Sequence, residues 1–162
     1  ACLEIGEQEN ALAYIEGIGY ATDDIQHNIS ISDEAICFQK SMQMALKNTS
    51  PDQVDAIVMH APGTLKGDSS EYKAIQKVFE NSVPLLTTNK WKIGHTFGAS
   101  GMLNLELAVF MMKHNQFIPI PYLENKYSKE PFLFFIGTLT NFSFLLFLMF
   151  SVISLPKQSQ AN

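Results

Sequence analysis

The sequence predicts a layered α/β fold for most of its 162 residues. Short apolar runs of strand length alternate with longer segments in which apolar residues recur at helical spacing. Two of the apolar runs lead directly into glycine-rich turns. This alternation is typical of helices packed on a sheet, and a chain of this length can bury a workable hydrophobic core.

The first half of the chain contains three predicted elements. A strand is predicted over residues 11–19 and a helix over residues 33–47. Ser32 stands where it can cap that helix, and two acidic residues follow it in the first turn, where they favour the helix dipole. A break around Pro51 precedes a strand over residues 54–59, whose continuous apolar run indicates burial.

Four further elements complete the pattern. A helix is predicted over residues 68–79, a strand over 83–88 and a long apolar helix over 99–113. The apolar face of the long helix indicates core packing rather than a cofactor site. Residues 117–122 contain two prolines and predict a strand only at a sheet edge or in an extended segment.

The composition changes abruptly after residue 131, which divides the chain into a globular domain, residues 1–131, and an atypical hydrophobic tail, residues 132–162. Residues 132–156 carry no charge, and seven of the twelve phenylalanines fall there. Three interpretations stay open for the tail: a transmembrane helix, for which about 20 apolar residues suffice; a pair of core strands, since polar residues interrupt the run; and out-of-frame translation. The abruptness of the change favours the third.

Composition excludes several classes of function. The net charge is −5, and all eleven basic residues are lysines. Because arginine supplies the strongest phosphate and guanine contacts, we predict no nucleic-acid partner. Two cysteines without a spacing pattern indicate a reducing compartment, and no ligand spacing predicts a metal site. No signal peptide opens the sequence, so we expect a cytoplasmic protein, with membrane association only through residues 132–155.

Two segments carry the candidate chemistry. Residues 54–71 and 83–102 each deliver a histidine, His60 or His95, from an apolar run into a glycine-rich turn. In the second turn a glycine before His95 allows a positive φ, and small residues allow close packing where a helix begins. A helix start offers unpaired N–H groups to an anion. Two neutral imidazoles beside Lys90 therefore predict a site that stabilises negative charge at a carbonyl oxygen.

Both segments resemble motifs of the β-ketoacyl-acyl carrier protein synthases of fatty acid and polyketide biosynthesis. The first family motif reads His-Gly-Thr-x-Thr-x-x-Gly-Asp-x-x-Glu, and residues 60–71 read HAPGTLKGDSSE. The positions in register are His60, Thr64, Gly67, Asp68 and Glu71. The second motif matches at Lys90, Gly94, His95, Gly98, Ala99 and Gly101. The resemblance extends over residues 11–125.

The resemblance implies the C-terminal half of a thiolase-like α/β/α fold and a decarboxylating Claisen condensation. A malonyl thioester loses carbon dioxide, and the resulting enolate attacks an acyl group held on a cysteine. His60 and His95 would be neutral Nε2–H donors to the thioester oxygen. Lys90 would support them, and Thr64 would contact the phosphopantetheine arm. Structural support would come from Gly67, Asp68, Glu71, Gly94, Gly98 and Gly101.

Three positions depart from the family pattern. Ala61 and Pro62 replace the usual Gly-Thr, which removes one hydroxyl that the family offers to the phosphopantetheine arm. Asn104 stands where the family usually has a glutamate that pairs with the lysine. Glu71 and Glu106 are the alternative partners of Lys90.

The nucleophilic cysteine is not in this chain. The resemblance places it in the N-terminal half of the fold, whereas Cys2 precedes the matching region and Cys37 lies in an apolar helical pattern typical of a core residue. We therefore expect the chain alone to be inactive. The implied partners are the N-terminal half, a homodimer or heterodimer mate and an acyl carrier protein. One candidate docking patch for an acidic carrier consists of Lys66, Lys73 and Lys77, and a solvated helix face is the favoured alternative for these lysines.

No cofactor is implied beyond the phosphopantetheine of the carrier protein, which holds the substrates. Three alternative functions stay open. The chain could be a non-catalytic partner subunit similar to a chain-length factor, an inactive truncated product, or a membrane-tethered protein of another role.

Overall fold

The computed structural model describes residues 4–6, 11–22, 34–80, 82–121, 134–142 and 145–154. The strands are β1 (Tyr14–Ala21), β2 (Ala56–Val58), β3 (Leu85–Thr87), β4 (Phe134–Phe142) and β5 (Leu145–Ser154). The helices are α1 (Ile36–Ala45), α2 (Leu65–Phe79), α3 (Lys90–Ile93) and α4 (Ser100–His114). Short 3₁₀ turns lie at Pro51–Gln53 and Phe97–Ala99.

The described strands form one mixed sheet in the order β1-β5-β4-β2-β3. β2 pairs in parallel with both β3 and β4, with Ile57 opposite Leu86 on one side and Phe135 on the other. β5 runs antiparallel to β4 and β1. Because β2 and β3 are parallel, their carboxyl ends share one edge of the sheet, and the segments that follow them meet there.

Helices cover both faces of the central strand. Successive residues of a strand point to opposite faces, and all three residues of β2 are buried. Ile57 belongs to a cluster with α1 and α2, whereas Ala56 and Val58 belong to a second cluster with α4. The result is the α/β/α layering that the family resemblance implies.

Glycines in β1 let α1 lie directly against the strand backbone. A Cβ atom at Gly19 would overlap the carbonyl oxygen of Ser41, and one at Gly17 would overlap that of Ala45. Any side chain at either position would therefore push α1 away from the sheet.

The predicted elements over residues 11–19, 33–47, 54–59, 68–79, 83–88 and 99–113 are confirmed, with shifted bounds. α2 begins three residues before its predicted start because Thr64 caps it, accepting the Gly67 N–H at 3.2 Å. α1 begins at Ile36, three residues after its predicted start, with Ala35 as its N-cap. The predicted cap, Ser32, lies outside the described residues.

Of the two alternatives predicted for residues 117–122, the edge strand is wrong for residues 117–121, which have no strand structure; residue 122 lies outside the described residues. Pro119 and Pro121 have no N–H to give to a ladder. The segment is held by other contacts: the Thr87 hydroxyl donates to the Ile118 carbonyl at 2.6 Å, and the Ile118 N–H donates to the sulfur of Met111 at 3.3 Å.

The tail supplies two strands of the sheet. β4 lies between β2 and β5. The described part of the tail is therefore a pair of strands, as the second interpretation predicts, and not a helix. In the described part of the chain, no helix has both the length and the apolar character needed to cross a membrane. The domain boundary at residue 131 and an out-of-frame origin of the tail stay predictions.

Candidate active site

His60 lies two residues after β2 and is only 3 % exposed. The strand end is extended by the Met59 N–H, which donates to the Thr87 carbonyl at 2.7 Å. The carboxylate of Glu71, which reaches in from α2, accepts the backbone N–H groups of His60 and Ala61 through separate oxygens, each at 2.8 Å. One buried side chain therefore holds the turn that carries the histidine.

A second buried side chain holds the same turn from the other face of the sheet. Asn104 of α4 is fully buried, and its Nδ2 donates to the Met59 carbonyl at 3.2 Å. This is the position at which the family pattern has a glutamate. In this chain the residue binds the strand end immediately before His60, a role that the sequence did not reveal.

The loop between His60 and α2 is closed by short-range contacts. The Gly63 N–H donates to Asp68 at 3.1 Å, with Gly63 at a φ of 83°. A Cβ at Gly67 would lie 2.7 Å from the Thr64 hydroxyl oxygen and 2.8 Å from Cγ of Pro62, so a larger residue there would displace the cap or the proline ring. The motif residues predicted as structural support thus shape the start of α2.

The second turn is built from backbone geometry. α3 ends at Ile93, and its C-cap is Gly94, whose φ of 71° is positive, as the sequence allows. Phe97 also has a positive φ, 48°, and its N–H donates to Nδ1 of His95 at 3.1 Å. The predicted close packing at Gly98 is wrong for the described residues, because a Cβ there would meet nothing within 4 Å.

The two turns bring the histidines together. Nε2 of His60 lies 3.4 Å from Nε2 of His95, and the rings meet edge to face with centroids 5.1 Å apart. His60 is buried, whereas His95 is exposed. Two imidazoles from separate segments therefore present their Nε2 atoms to one point, as the sequence predicts.

Burial keeps His60 neutral. Desolvation first, then the positive charge of Lys90 and then His95, lowers the pKa of His60 from 6.5 to about 3. Burial also lowers the pKa of Lys90, and the Glu71 carboxylate opposes that shift. At neutral pH the His60 ring can donate or accept a hydrogen bond without carrying a charge.

The carboxylate of Glu71 interacts electrostatically with Lys90. Burial raises the pKa of Glu71 to about 7, while its two backbone N–H donors and Lys90 favour the ionised form. Glu106, the alternative partner, is exposed on α4. Nζ of Lys90 is buried and has no hydrogen-bond partner among the described residues, so the interaction with Glu71 acts through space.

The remaining candidates lie away from the paired histidines. Cys37 is buried in the cluster between α1 and β2, and Cys2 lies outside the described residues. Lys66, Lys73 and Lys77 are exposed along one side of α2, and Lys77 pairs with Glu34. In the described ranges, no group of three or more metal-binding side chains converges.

Comparison with known families gives a match over residues 12–124 to the C-terminal domain of the beta-ketoacyl synthases. The chain is 32% identical over 111 residues to 3-oxoacyl-(acyl-carrier-protein) synthase 1 of Buchnera aphidicola subsp. Baizongia pistaciae, covering 68% of this chain and 27% of that protein. It is 32% identical over 128 residues to 3-oxoacyl-(acyl-carrier-protein) synthase 2 of Coxiella burnetii, covering 76% of this chain and 31% of that protein. The chain thus spans less than a third of the length of these relatives.

Solved ketosynthases share the fold. A ketosynthase from Xenorhabdus doucetiae, solved in complex with its chain length factor, superposes with a TM-score of 0.75 at 19% identity, covering 91% of this chain and 40% of that one. A ketosynthase domain from Streptomyces albus gives a TM-score of 0.70 at 18% identity, covering 91% of this chain and 46% of that one. These likenesses confirm the predicted thiolase-like fold class.

Proposed function

Because this chain belongs to the β-ketoacyl synthase family through its C-terminal domain, we propose that it forms the C-terminal catalytic half of a β-ketoacyl-acyl carrier protein synthase. The reaction is a decarboxylating Claisen condensation of an acyl and a malonyl thioester in fatty acid or polyketide biosynthesis. The observation that carries the proposal is the 3.4 Å separation between the Nε2 atoms of His60 and His95.

That separation suits two donors that share one acceptor. An oxygen at ordinary hydrogen-bond distance, about 2.7–3.2 Å, can reach both nitrogens at once. When a malonyl thioester loses carbon dioxide, the electron pair of the broken C–C bond forms an enolate, and negative charge develops on the thioester oxygen. Donors placed beforehand at that oxygen stabilise the transition state.

The protonation of His95 supports its role as a donor. Its Nδ1 accepts the Phe97 N–H, which leaves the single proton of the neutral ring on Nε2. His60 stays neutral because burial and Lys90 lower its pKa to about 3. Neutral imidazoles can stabilise the enolate without transferring a proton to it, which would quench the nucleophile.

Thr64 is proposed to contact the phosphopantetheine arm. Its hydroxyl is exposed at the start of α2 and accepts the Gly67 N–H. A hydroxyl that accepts one bond still has its own hydrogen to donate. It can therefore bind a carbonyl of the arm while it caps the helix. No further cofactor is proposed.

The thiol that holds the acyl group is proposed to come from the N-terminal half of the synthase. Cys37 belongs to the core cluster of α1, α2 and β2 and cannot serve. We propose a homodimeric or heterodimeric cytoplasmic assembly that receives its substrates from an acyl carrier protein. The lysines along α2 suit an acidic carrier, because opposite charges steer encounter. They are Lys66, Lys73 and Lys77.

The test uses the synthase assembled from this chain and a ketosynthase N-terminal half that supplies the cysteine. His95→Ala is expected to lower malonyl-thioester decarboxylation by about 10²–10³-fold, the effect of losing one oxyanion donor. The matched control is His114→Ala, because His114 lies at the exposed end of α4 and its ring contacts Phe110. The control should keep the wild-type rate. Near-normal turnover by His95→Ala would rule out the assigned role.

A second candidate is a non-catalytic partner subunit similar to a chain-length factor. Pro62 favours the partner-subunit candidate, because this residue replaces a family threonine two positions after His60. The coding sequence upstream separates the two candidates: a cysteine at the nucleophile position indicates the enzyme, and its replacement indicates the partner.

A further inference from the structure

The two histidines differ in what fixes their ring protons. Nδ1 of His95 accepts a hydrogen bond from the backbone N–H of Phe97, two residues later, at 3.1 Å. The residue two positions after His60 is Pro62, which has no amide hydrogen. Nδ1 of His60 is buried and has no hydrogen-bond partner among the described residues.

A neutral imidazole carries one proton, on either Nδ1 or Nε2. For His95 the Phe97 N–H occupies Nδ1, so the proton is on Nε2 and faces His60 at 3.4 Å. If His60 also carried its proton on Nε2, two N–H groups would face each other across this distance. With its proton on Nδ1, Nε2 of His60 can instead accept the hydrogen bond from His95.

We propose that His60 in the unliganded protein is the Nδ1–H tautomer, that its Nε2 accepts a hydrogen bond from His95, and that Pro62 is the cause. The pair is then one donor and one acceptor. An amide hydrogen at position 62 would occupy Nδ1 of His60 and hold its proton on Nε2, as Phe97 does for His95.

This donor–acceptor pair distinguishes a neutral hydroxyl or enol oxygen from an anionic oxygen. A hydroxyl or enol oxygen can accept from Nε2–H of His95 and donate its own hydrogen to Nε2 of His60. An anionic oxygen needs two donors, so the proton of His60 must first move from Nδ1 to Nε2. The tautomer is inferred from the hydrogen-bond geometry of the two neutral rings, whereas this consequence for catalysis rests on the proposed function.

The test is an NMR measurement on the full chain with ¹⁵N-labelled histidine. Long-range ¹H–¹⁵N correlations separate protonated from unprotonated ring nitrogens, and single His→Gln variants assign the four histidines. We expect an unprotonated Nε2 for His60 and a protonated Nε2 for His95 in the same spectrum. A protonated Nε2 on His60 would overturn the proposal.

Two neighbouring variants test the cause. Pro62→Ala supplies the amide hydrogen and should move the His60 proton to Nε2. Ala61→Gly alters the same turn without adding an N–H at position 62 and should leave the tautomer unchanged. A folded Pro62→Ala protein with an unchanged tautomer would overturn the role of Pro62. If that variant fails to fold, the wild-type spectrum still decides the resting tautomer.

In the assembled synthase, Pro62→Ala should raise malonyl-thioester decarboxylation by about 10-fold, part of the effect that one oxyanion donor supplies. The rate separates this inference from the proposed function. If His95→Ala leaves decarboxylation intact, the proposed function fails while the tautomer can still hold. If the spectrum shows His60 protonated on Nε2 while His95→Ala lowers the rate, only the present inference fails.

Discussion

The turns that carry His60 and His95 reach the same point by different means. The first is held by two buried side chains from opposite faces of the sheet, Glu71 and Asn104. The second is held by its own backbone, through Phe97 and a positive φ at Gly94. Tertiary contacts thus fix the position of His60 but place no hydrogen bond on its Nδ1 among the described residues. By contrast, a local backbone N–H occupies Nδ1 of His95, whose ring is exposed.

Removing Glu71 should have the largest effect on stability. Glu71→Ala leaves the buried N–H of His60 and the half-buried N–H of Ala61 without their acceptor. Each N–H group left unpaired costs about 1–3 kcal/mol, so the unfolding free energy should fall by about 2–6 kcal/mol. Denaturant titration measures the change. Glu106→Ala, which removes an exposed carboxylate, should have almost no effect, and equal losses would show that Glu71 does not hold the turn.

The pH dependence of stability should reveal the buried environment of His60. Its pKa is about 3 in the folded chain and 6.5 in the reference state. Between these values the unfolded chain binds a proton that the folded chain excludes, so this group destabilises the fold as the pH falls below 6.5. The slope is at most about 1.4 kcal/mol per pH unit.

His60→Gln removes this contribution. The unfolding free energy of the wild type, measured relative to that of the variant, should therefore decline between pH 6.5 and about 3. It should be constant above that interval. A difference that stays level across the whole acid range would show that the ring of His60 is solvated in the folded chain.

The smallest effect is expected at Ala61, the strained residue of the first turn. Its φ of 33° is a conformation that glycine adopts more easily than alanine. The hydrogen bond from its N–H to Glu71 holds the residue in this strained conformation. Ala61→Gly should therefore raise the unfolding free energy by about 0.5–1 kcal/mol. Ala74→Gly, in the buried interior of α2, should lower it instead. A loss in both variants would show that the first turn is not strained.

Local patterns in the sequence predicted most of the fold. Apolar periodicity located six of the elements, and the motif spacing located both histidines and the positive φ at Gly94. The predicted start of α2 is three residues late because Thr64, which the sequence predicts as a ligand contact, also caps the helix. Residues 117–121 do not form an edge strand because their prolines cannot donate to a ladder, and a side-chain hydrogen bond from Thr87 holds the segment instead.

What the sequence could not supply depends on contacts between distant residues. The acidic partner of Lys90 could not be chosen until α2 and α3 were placed beside each other. The bond from Asn104 to Met59 joins residues 45 positions apart. The unpaired Nδ1 of His60 could in part be predicted, because Pro62 lacks the N–H that Phe97 supplies two residues after His95. The sequence did not show that this Nδ1 is buried, and burial is what excludes other partners among the described residues.

The central claim, that both imidazoles act on one oxygen, is tested most directly by a double-mutant cycle on malonyl-thioester decarboxylation in the assembled synthase. Groups that act as a unit are strongly non-additive. His95→Ala should lower the rate steeply, and adding His60→Ala should lower it little further. Losses that simply multiply would place the two rings at independent sites and contradict the account.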